Sequence, residues 1–435
     1  MDSVRVGLLG CGNVGSALVA LIADHGPAIA ARTGLRLEVA RVAVHSTTRQ
    51  RAVELPPGVL TNDAESVVTD PSIDVVVEVM GGIEPARRLI AAALEAKKPV
   101  VSANKELLAN DGPALFEAAA ASGVDLLFEA AVGGGIPLIR PLRESLVGDR
   151  LRRLIGIVNG TTNFVLTRMT EGGQSFREAL AEAQSLGYAE RDPTADVEGY
   201  DAAAKAAILA TVAFGVRVAA GDVYREGITG ITQDDIAMAR RLGYAIKLVA
   251  VVESPGDARE GEVAVRVHPA LVPLDHPLAS VRDSYNAVFV EGDAVGNLMF
   301  YGRGAGGRPT ASAVLGDLID AAANLRQGRA SGVPALPGLA AAHIRPIDEL
   351  RSQYYVSMDV VDRPGVLHQI SGVTARHNVS VEKVEQLGLG DEARLVFVTH
   401  LAPERAMQAT LHDLRELEVV ERLGTLLRVI GPESG

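Results

Sequence analysis

The sequence predicts an α/β protein in three parts: an N-terminal Rossmann-type sheet, a middle α+β domain and a C-terminal ferredoxin-like unit. Three observations carry this. A short apolar strand, Val4–Leu9, runs directly into Gly10-Cys11-Gly12-Asn13-Val14-Gly15 and then a helix. Apolar strands and alanine-rich helices alternate up to about residue 135, the pattern of a doubly wound parallel sheet. Beyond residue 350 the order becomes strand, helix, strand, strand, helix, strand, which is the ferredoxin-like order.

In the first part, Gly10 permits a tight turn, Gly12 lets backbone amides approach a pyrophosphate, and Gly15 allows close helix–strand packing. Asn13 and Val14 complete that turn, and the N-terminus of helix Ser16–Asp24 faces anionic phosphates. The second strand, Leu37–Val44, ends in His45-Ser46-Thr47-Thr48-Arg49. A site selective for NAD usually carries Asp or Glu there, for the ribose 2′-hydroxyl. No carboxylate lies between Arg41 and Arg51, so Arg49 and the hydroxyls favour NADP, with NAD possible. Otherwise Arg49 is a solvated loop charge.

Asp74–Met80 reads as a strand of the fully buried parallel kind, and Gly81-Gly82 and helix Pro85–Ala96 follow. Strand Pro99–Ser102 carries Ala103-Asn104-Lys105-Glu106 at its C-terminal end, the edge where open α/β sheets bind ligands. Lys105 is thus expected to reach a cofactor or substrate. Strand Asp125–Ala130 runs into Val132-Gly133-Gly134-Gly135-Ile136-Pro137. Its exposed carbonyls suit a hard cation beside Glu129; from the residues alone, a flexible hinge is the stronger reading.

From about Leu151 to Tyr301 the pattern changes. Strand Leu154–Val158 leads into Asn159-Gly160-Thr161-Thr162-Asn163, read as a polar turn suited to a carboxylate or amino group. Ser175–Leu186 is an amphipathic helix. An acidic cluster follows, with Glu190, Asp192, Asp196, Glu198, Asp201 and Lys205 within sixteen residues, the last on an alanine-rich helix. Asp201 and Lys205 form an i,i+4 pair on one face. The arrangement suits a zwitterionic small molecule and a proton donor; a lysine snorkelling to water is the plain alternative. Val263–Val267 and Ala287–Val290 read as strands. The loop Gly302-Arg303-Gly304-Ala305-Gly306-Gly307 precedes helix Thr310–Ala323, expected to return to the first domain. Residues 326–338 form a Gly/Pro-rich boundary. The tail reads as strand Tyr354–Val361, helix Val366–His377, strands Val379–Leu387 and Ala393–His400, helix Glu404–Leu417 and strand Val419–Val429.

The 435 residues are 48% hydrophobic and 22% charged, a globular rather than a disordered balance. Net charge of −12 argues against nucleic acid or anionic membrane as the main partner. A single cysteine, Cys11, excludes an intrachain disulfide or a cysteine-based metal cluster. The start goes almost directly into a strand and no uninterrupted apolar run approaches a bilayer's width, so a cytoplasmic protein without a signal peptide is expected.

Residues 183–205 resemble the signature of homoserine dehydrogenases. Ala183, Gly187, Tyr188, Asp192, Pro193, Asp196, Val197, Gly199, Asp201 and Lys205 all match it. The resemblance extends to Gly10–Gly15, Ser102-Ala103-Asn104-Lys105, Gly160-Thr161 and YGRGAGG, so it spans residues 1–345. The tail resembles an ACT domain, an amino-acid-sensing module, through Asp362-Arg363-Pro364-Gly365-Val366-Leu367 and His377-Asn378-Val379. It implies a dinucleotide-binding domain at 1–135 with a helix near 305–325 returning to it. A substrate and dimerisation domain follows at 136–304, a linker at 326–350 and a regulatory ACT domain at 351–430.

The resemblance implies reversible NAD(P)H-dependent reduction of L-aspartate 4-semialdehyde to L-homoserine, in threonine, methionine and isoleucine biosynthesis. It makes Lys205 the proton donor, Lys105 a second lysine near the nicotinamide, and Asp201 the orienting carboxylate. Glu190 and Asp196 would hold the substrate's ammonium end, with Gly160, Thr161 and Tyr188 lining the pocket. Gly187, Gly302 and Gly304 join the cofactor set with Lys105 and Arg49. A structural monovalent cation such as sodium maps onto Glu129 and the carbonyls of Val132, Gly134 and Ile136. Threonine is the implied effector at the ACT domain, and a homodimer or homotetramer the implied assembly.

Two other readings compete with this one. Aspartate semialdehyde dehydrogenase needs a cysteine nucleophile, whereas the only cysteine here sits in the phosphate turn. A non-catalytic amino-acid sensor with a retained dinucleotide fold would have had no reason to keep both lysines and every signature carboxylate.

Overall fold

A computed structural model describes residues 3–254, 261–330, 336, 339–388 and 392–431, with Glu392 by its backbone alone. Part of the expected linker, 331–335 and 337–338, lies outside the described residues. The chain forms two compact units, Met1–Leu154 with Ala203–Val223 and Tyr285–Ala342, and Ile155–Ala202 with Tyr224–Ser284 and His343–Gly435.

The first unit is built on a parallel sheet of β1 (Ser3–Leu9), β2 (Arg36–Ala43), β3 (Leu60–Thr61), β4 (Val75–Glu78), β5 (Val100–Ser102) and β6 (Leu126–Leu127). Their spatial order is β3-β2-β1-β4-β5-β6, so the chain reverses direction between β1 and β4. That reversal opens a crevice at the carboxyl ends of the strands, where the glycine turn lies. β4 is buried along its whole length, as expected of an inner parallel strand covered on both faces. Helices α1 (Asn13–Thr33), α2 (Ala64–Thr69), α3 (Ala86–Glu95) and α4 (Lys105–Ser122) connect the strands, and α10 (Gly307–Arg326) packs on α1. Leu8, Leu18, Val77, Val314 and Leu318 are wholly buried in the core between these elements. Burial of each such side chain is worth roughly 1.5–3 kcal/mol. A short ladder of β8 (Val216–Arg217) with β14 (Ala340–Ala341) and the hairpin β12 (Tyr285–Gly292)–β13 (Gly296–Arg303) complete this unit.

Helix α1 does not stop at Asp24 but continues through Pro27 to Thr33. Proline leaves the carbonyl four residues before it without an intrahelical donor. Here that residue is the exposed Ala23, which water can serve. By length and composition α1 is also long and apolar enough to cross a membrane. Its apolar side chains Leu18, Val19, Leu21 and Ile22 instead sit in the unit's own core. The expected strand Asp125–Ala130 is reduced to β6, because residues 129–131 turn into a 3-10 helix.

The second unit carries α5 (Gly160–Gly172), α6 (Phe176–Ser185), α7 (Thr194–Val197) and α9 (Gln233–Arg241). Strand β7 (Leu151–Ile157) and helix α8 (Tyr200–Phe214) each contribute residues to both units. Asn159–Asn163, expected as a turn, is the cap and first turn of α5. The buried Lys247 supports that helix, with its Nζ 3.1 Å from Asn163 Oδ1. Burial pushes the Lys247 ammonium down to about 8.

The long strands β10 (Tyr244–Glu253) and β11 (Glu262–Pro273) pair antiparallel, and β9 (Tyr224–Arg225) and β15 (His343–Ile344) flank β11 in parallel. In the tail, β16 (Arg351–Val361), α11 (Val366–Arg376), β17 (Val381–Gly388), β18 (Glu392–Thr399), α12 (Glu404–Arg415) and β20 (Val420–Val429) form the ferredoxin-like order, with β19 (Ala402–Pro403) at the edge of β16. Its last strand continues the β10–β11 ladder: Ala270 pairs with Arg428 and Leu271 with Val429.

Candidate active site

In the first unit, the glycine turn is held by contacts that a side chain would break. Gly10 sits at φ +97, and a Cβ there would meet the Val79 carbonyl oxygen at 2.9 Å. A Cβ on Gly15 would lie 2.3 Å from the Gly10 carbonyl oxygen. A cavity of about 1000 Å³ opens beside this turn. Gly10, Gly12, Asn13 and Arg49 line it, together with Cys11, Ser46, Arg51, Gly307 and Arg308. Among the described residues, no Asp or Glu lines it. Arg51 closes the loop after β2, donating to the carbonyls of Arg49 (2.8 Å) and Ser46. Val14, Gly15, Lys105, Gly302 and Gly304 belong to the same unit but do not line this cavity. Gly187 belongs to the second unit. The reading of residues alone missed Arg308. It follows the Gly302–Gly307 loop as the second residue of α10, and only the packing of α10 on α1 brings Gly307 within 3.0 Å of the Asn13 carbonyl, measured from a built Cβ.

At the ends of β4 and β5, Glu78 is wholly buried and accepts from Met80 N (2.8 Å), Gly81 N (3.2 Å) and Ser102 Oγ (2.7 Å). Burial raises its carboxyl above the usual range against these opposing hydrogen bonds. Asn104 accepts from Leu107 N (3.1 Å) and donates to the Gly82 carbonyl (2.6 Å), so it caps α4 and ties it to the turn after β4. Lys105 is therefore the first residue of a capped helix, and it is exposed.

Glu129 receives the amides of Leu138, Ile139 (2.8 Å) and Arg140 (2.8 Å) on its carboxylate. Its oxygens are therefore engaged by the following turn. Among the described residues, none donates a hydrogen bond to the carbonyls of Val132, Gly134 or Ile136. A cation there would rest on backbone carbonyls, a donor set suited to a hard ion. The described residues contain no group of three or more His, Cys, Asp or Glu side chains arranged to hold a metal.

In the second unit, Asn159 Nδ2 donates to Asp196 Oδ1 (2.6 Å) and to Asp201 Oδ2 (2.9 Å). The loop carboxylate of Asp196 is thus brought together with Asp201 in the first turn of α8. Thr161 Oγ1 donates to the Tyr188 carbonyl (2.7 Å), and the Tyr188 ring lies 5.0 Å from that of Phe164. A Cβ on Gly160 would meet the Ser284 carbonyl oxygen at 2.8 Å, so the first turn of α5 requires glycine there. Asp192 accepts from Thr194 N (3.1 Å) and Oγ1 (2.6 Å), which gives this signature carboxylate a local role in starting α7. Glu190 is exposed. On α8, Asp201 is 8% exposed and Lys205, one turn further, is also 8% exposed. The lysine is buried and does not snorkel to solvent.

Three family models match the chain. The NAD binding domain of homoserine dehydrogenase covers residues 10–129, the homoserine dehydrogenase domain 137–319 and the ACT domain 354–419. A homoserine dehydrogenase of Mycobacterium tuberculosis is 50% identical, over 98% of each chain. The chain belongs to the homoserine dehydrogenase family. A crystal structure of a homoserine dehydrogenase from Thiobacillus denitrificans superposes with a TM-score of 0.92 at 40% identity, over 99% of each chain. A hyperthermophilic archaeal homoserine dehydrogenase in complex with NADPH matches 74% of this chain and 98% of its own, with a TM-score of 0.63 at 29% identity.

As a homoserine dehydrogenase, the protein is an oxidoreductase with an NAD(P)-binding domain of Rossmann type and a C-terminal ACT domain. The non-catalytic sensor is not favoured. The close approach at Gly15 yields a direct expectation. Gly15→Ala drives α1 off the β1 turn, weakening binding of the reduced dinucleotide at least roughly tenfold and lowering thermal stability, both measurable by fluorescence titration and melting.

Proposed function

We propose that the protein interconverts L-homoserine and L-aspartate 4-semialdehyde with NADP as the preferred cofactor. The observation that carries this reading is the polar cluster of Asn159, Asp196 and Asp201 one helical turn before the buried Lys205. NADPH, when bound, supplies the hydride. The aldehyde oxygen then gains alkoxide charge and needs a cation and a proton beside it. Lys205 gives that proton, Asp201 orients the lysine and the substrate, and Lys105 lends a second positive charge. Asp196 and Glu190 hold the substrate ammonium, and Gly160, Thr161 and Tyr188 border it. In the reverse direction Lys205 takes the hydroxyl proton.

Preference for NADP is supported by three arginines, Arg49, Arg51 and Arg308, and by the lack of a carboxylate among the described residues that line the dinucleotide cavity. Arginine is suited to a 2′-phosphate, whereas a carboxylate would repel it. Gly187, Gly302 and Gly304 belong to this reading as backbone approaches to the cofactor. Glu129 and the carbonyls of Val132, Gly134 and Ile136 would hold a monovalent cation such as sodium, which would keep the glycine loop in shape. The ACT domain takes threonine as an inhibitory effector, and the active form is a cytoplasmic homodimer or homotetramer. The test is steady-state homoserine oxidation with NADP and with NAD, with and without threonine. Arg49→Glu is expected to shift the ratio of kcat/KM values toward NAD by roughly tenfold or more. An unchanged ratio removes Arg49 from phosphate recognition, and a rate insensitive to threonine removes threonine as effector.

A further inference from the structure

We propose that Asn159 is a positioning residue whose amide clamps the Asp196 and Asp201 carboxylates together and ties both to the first turn of α5. This rests on the reading of those carboxylates as substrate-facing groups.

The side chain is 4% exposed, and each of its polar functions is engaged. Both amide hydrogens go to carboxylates, at 2.6 Å to Asp196 Oδ1 and 2.9 Å to Asp201 Oδ2. Its oxygen accepts from Thr162 N (2.8 Å) and Thr162 Oγ1 (2.9 Å), which caps α5. The amide orientation follows from this network: the flipped form would set an oxygen against two carboxylates and an NH2 against an N–H donor.

The chemistry leaves few substitutes at this position. Aspartate or serine caps a helix as well as asparagine. Neither offers two donors, and aspartate adds a third negative charge to a pair that already repels. The frame behind the clamp is closely packed, since Gly160 lies against the Ser284 backbone. Val197, beside Asp196, is fixed by Ile228 N donating to its carbonyl at 2.8 Å. The clamp therefore transmits the position of α5 to the loop carboxylate and to the start of α8.

The test uses the full chain and measures kcat, KM for homoserine, NADPH affinity and melting temperature. In Asn159→Ser, which keeps a cap acceptor, kcat/KM for homoserine is expected to fall about 10- to 100-fold, with NADPH affinity unchanged. Asn159→Asp, the isosteric variant that keeps the cap, is expected to lose more. In an Asp196→Asn background, Asn159→Ser should cost much less than in wild type, because the two residues act as one unit. Wild-type kcat and KM in both Asn159 variants would overturn the clamp. So would strictly additive losses, or losses of NADPH binding and melting temperature that track the loss of activity. Asp201→Asn separates the two levels. If it oxidises homoserine normally, the reading of the carboxylates fails and the clamp with it. If it is inactive while Asn159→Ser is normal, only the clamp fails.

Discussion

Lys205→Met is expected to lower kcat for homoserine oxidation by about 10²- to 10⁴-fold, the usual contribution of a positioned acid–base group. NADPH affinity should stay within a factor of about two, because the dinucleotide cavity has no Lys205 in its lining. The physical basis is burial. At 8% exposure on a helix whose neighbours Ala206 and Ala207 are wholly covered, this lysine has been taken out of water. A desolvated ammonium is costly and persists where it is paired or functional. Methionine matches the length and apolar stem, so a loss of turnover without a loss of folding isolates the ammonium. Wild-type-like turnover would remove Lys205 from the proton-donor role.

Arg428→Met is expected to have the largest effect on stability. Arg428 is 1% exposed and makes a bidentate pair with Glu404, at 2.9 Å from Nε and 2.8 Å from Nη2. Its Nη1 reaches Glu226 at 2.9 Å. Tyr354 donates to the same Glu404 at 2.9 Å, and Tyr224 donates to Glu226. Burial, with Glu226 beside it, pushes the Tyr224 phenol up to about 12, so it stays a donor at any working pH. Removing the guanidinium leaves two carboxylates without their cation, one of them, Glu404, only 3% exposed. Breaking a buried pair from one side costs about 3–5 kcal/mol. Urea unfolding should show that loss in the midpoint. A double variant that also makes Glu404 apolar should recover part of it, since the burial cost of the carboxylate then disappears. An Arg428→Met midpoint within error of wild type would mean that this cluster carries little of the unit's stability.

Local chemistry was legible where it determined local structure. Gly10 and Gly15 marked the turn because a Cβ at either position would lie 2.9 or 2.3 Å from a backbone oxygen. The ferredoxin-like order of the tail was legible because each of its elements has its own hydrophobic period. The start of α5 was not. Asn-Gly-Thr-Thr-Asn has turn composition, and the helix forms there because Asn159 caps it and Gly160 packs on Ser284. Helix α1 outran its expected end because the carbonyl that Pro27 orphans belongs to an exposed residue, a fact no sequence period contains. The β11–β20 ladder and the Arg428 cluster join residues far apart in the chain, so nothing near Arg428 signals them. The same holds at the candidate site. Signature residues located Asp196, Asp201 and Lys205, but the amide that joins the two carboxylates emerged only from their distances to Asn159.

Formation of NADPH by the purified full chain, given L-homoserine and NADP at alkaline pH, measures homoserine oxidation directly. Homoserine-dependent NADPH absorbance, abolished in Lys205→Met, is the predicted result. No reduced cofactor with either NADP or NAD, from a folded protein that still binds dinucleotide, would contradict the account.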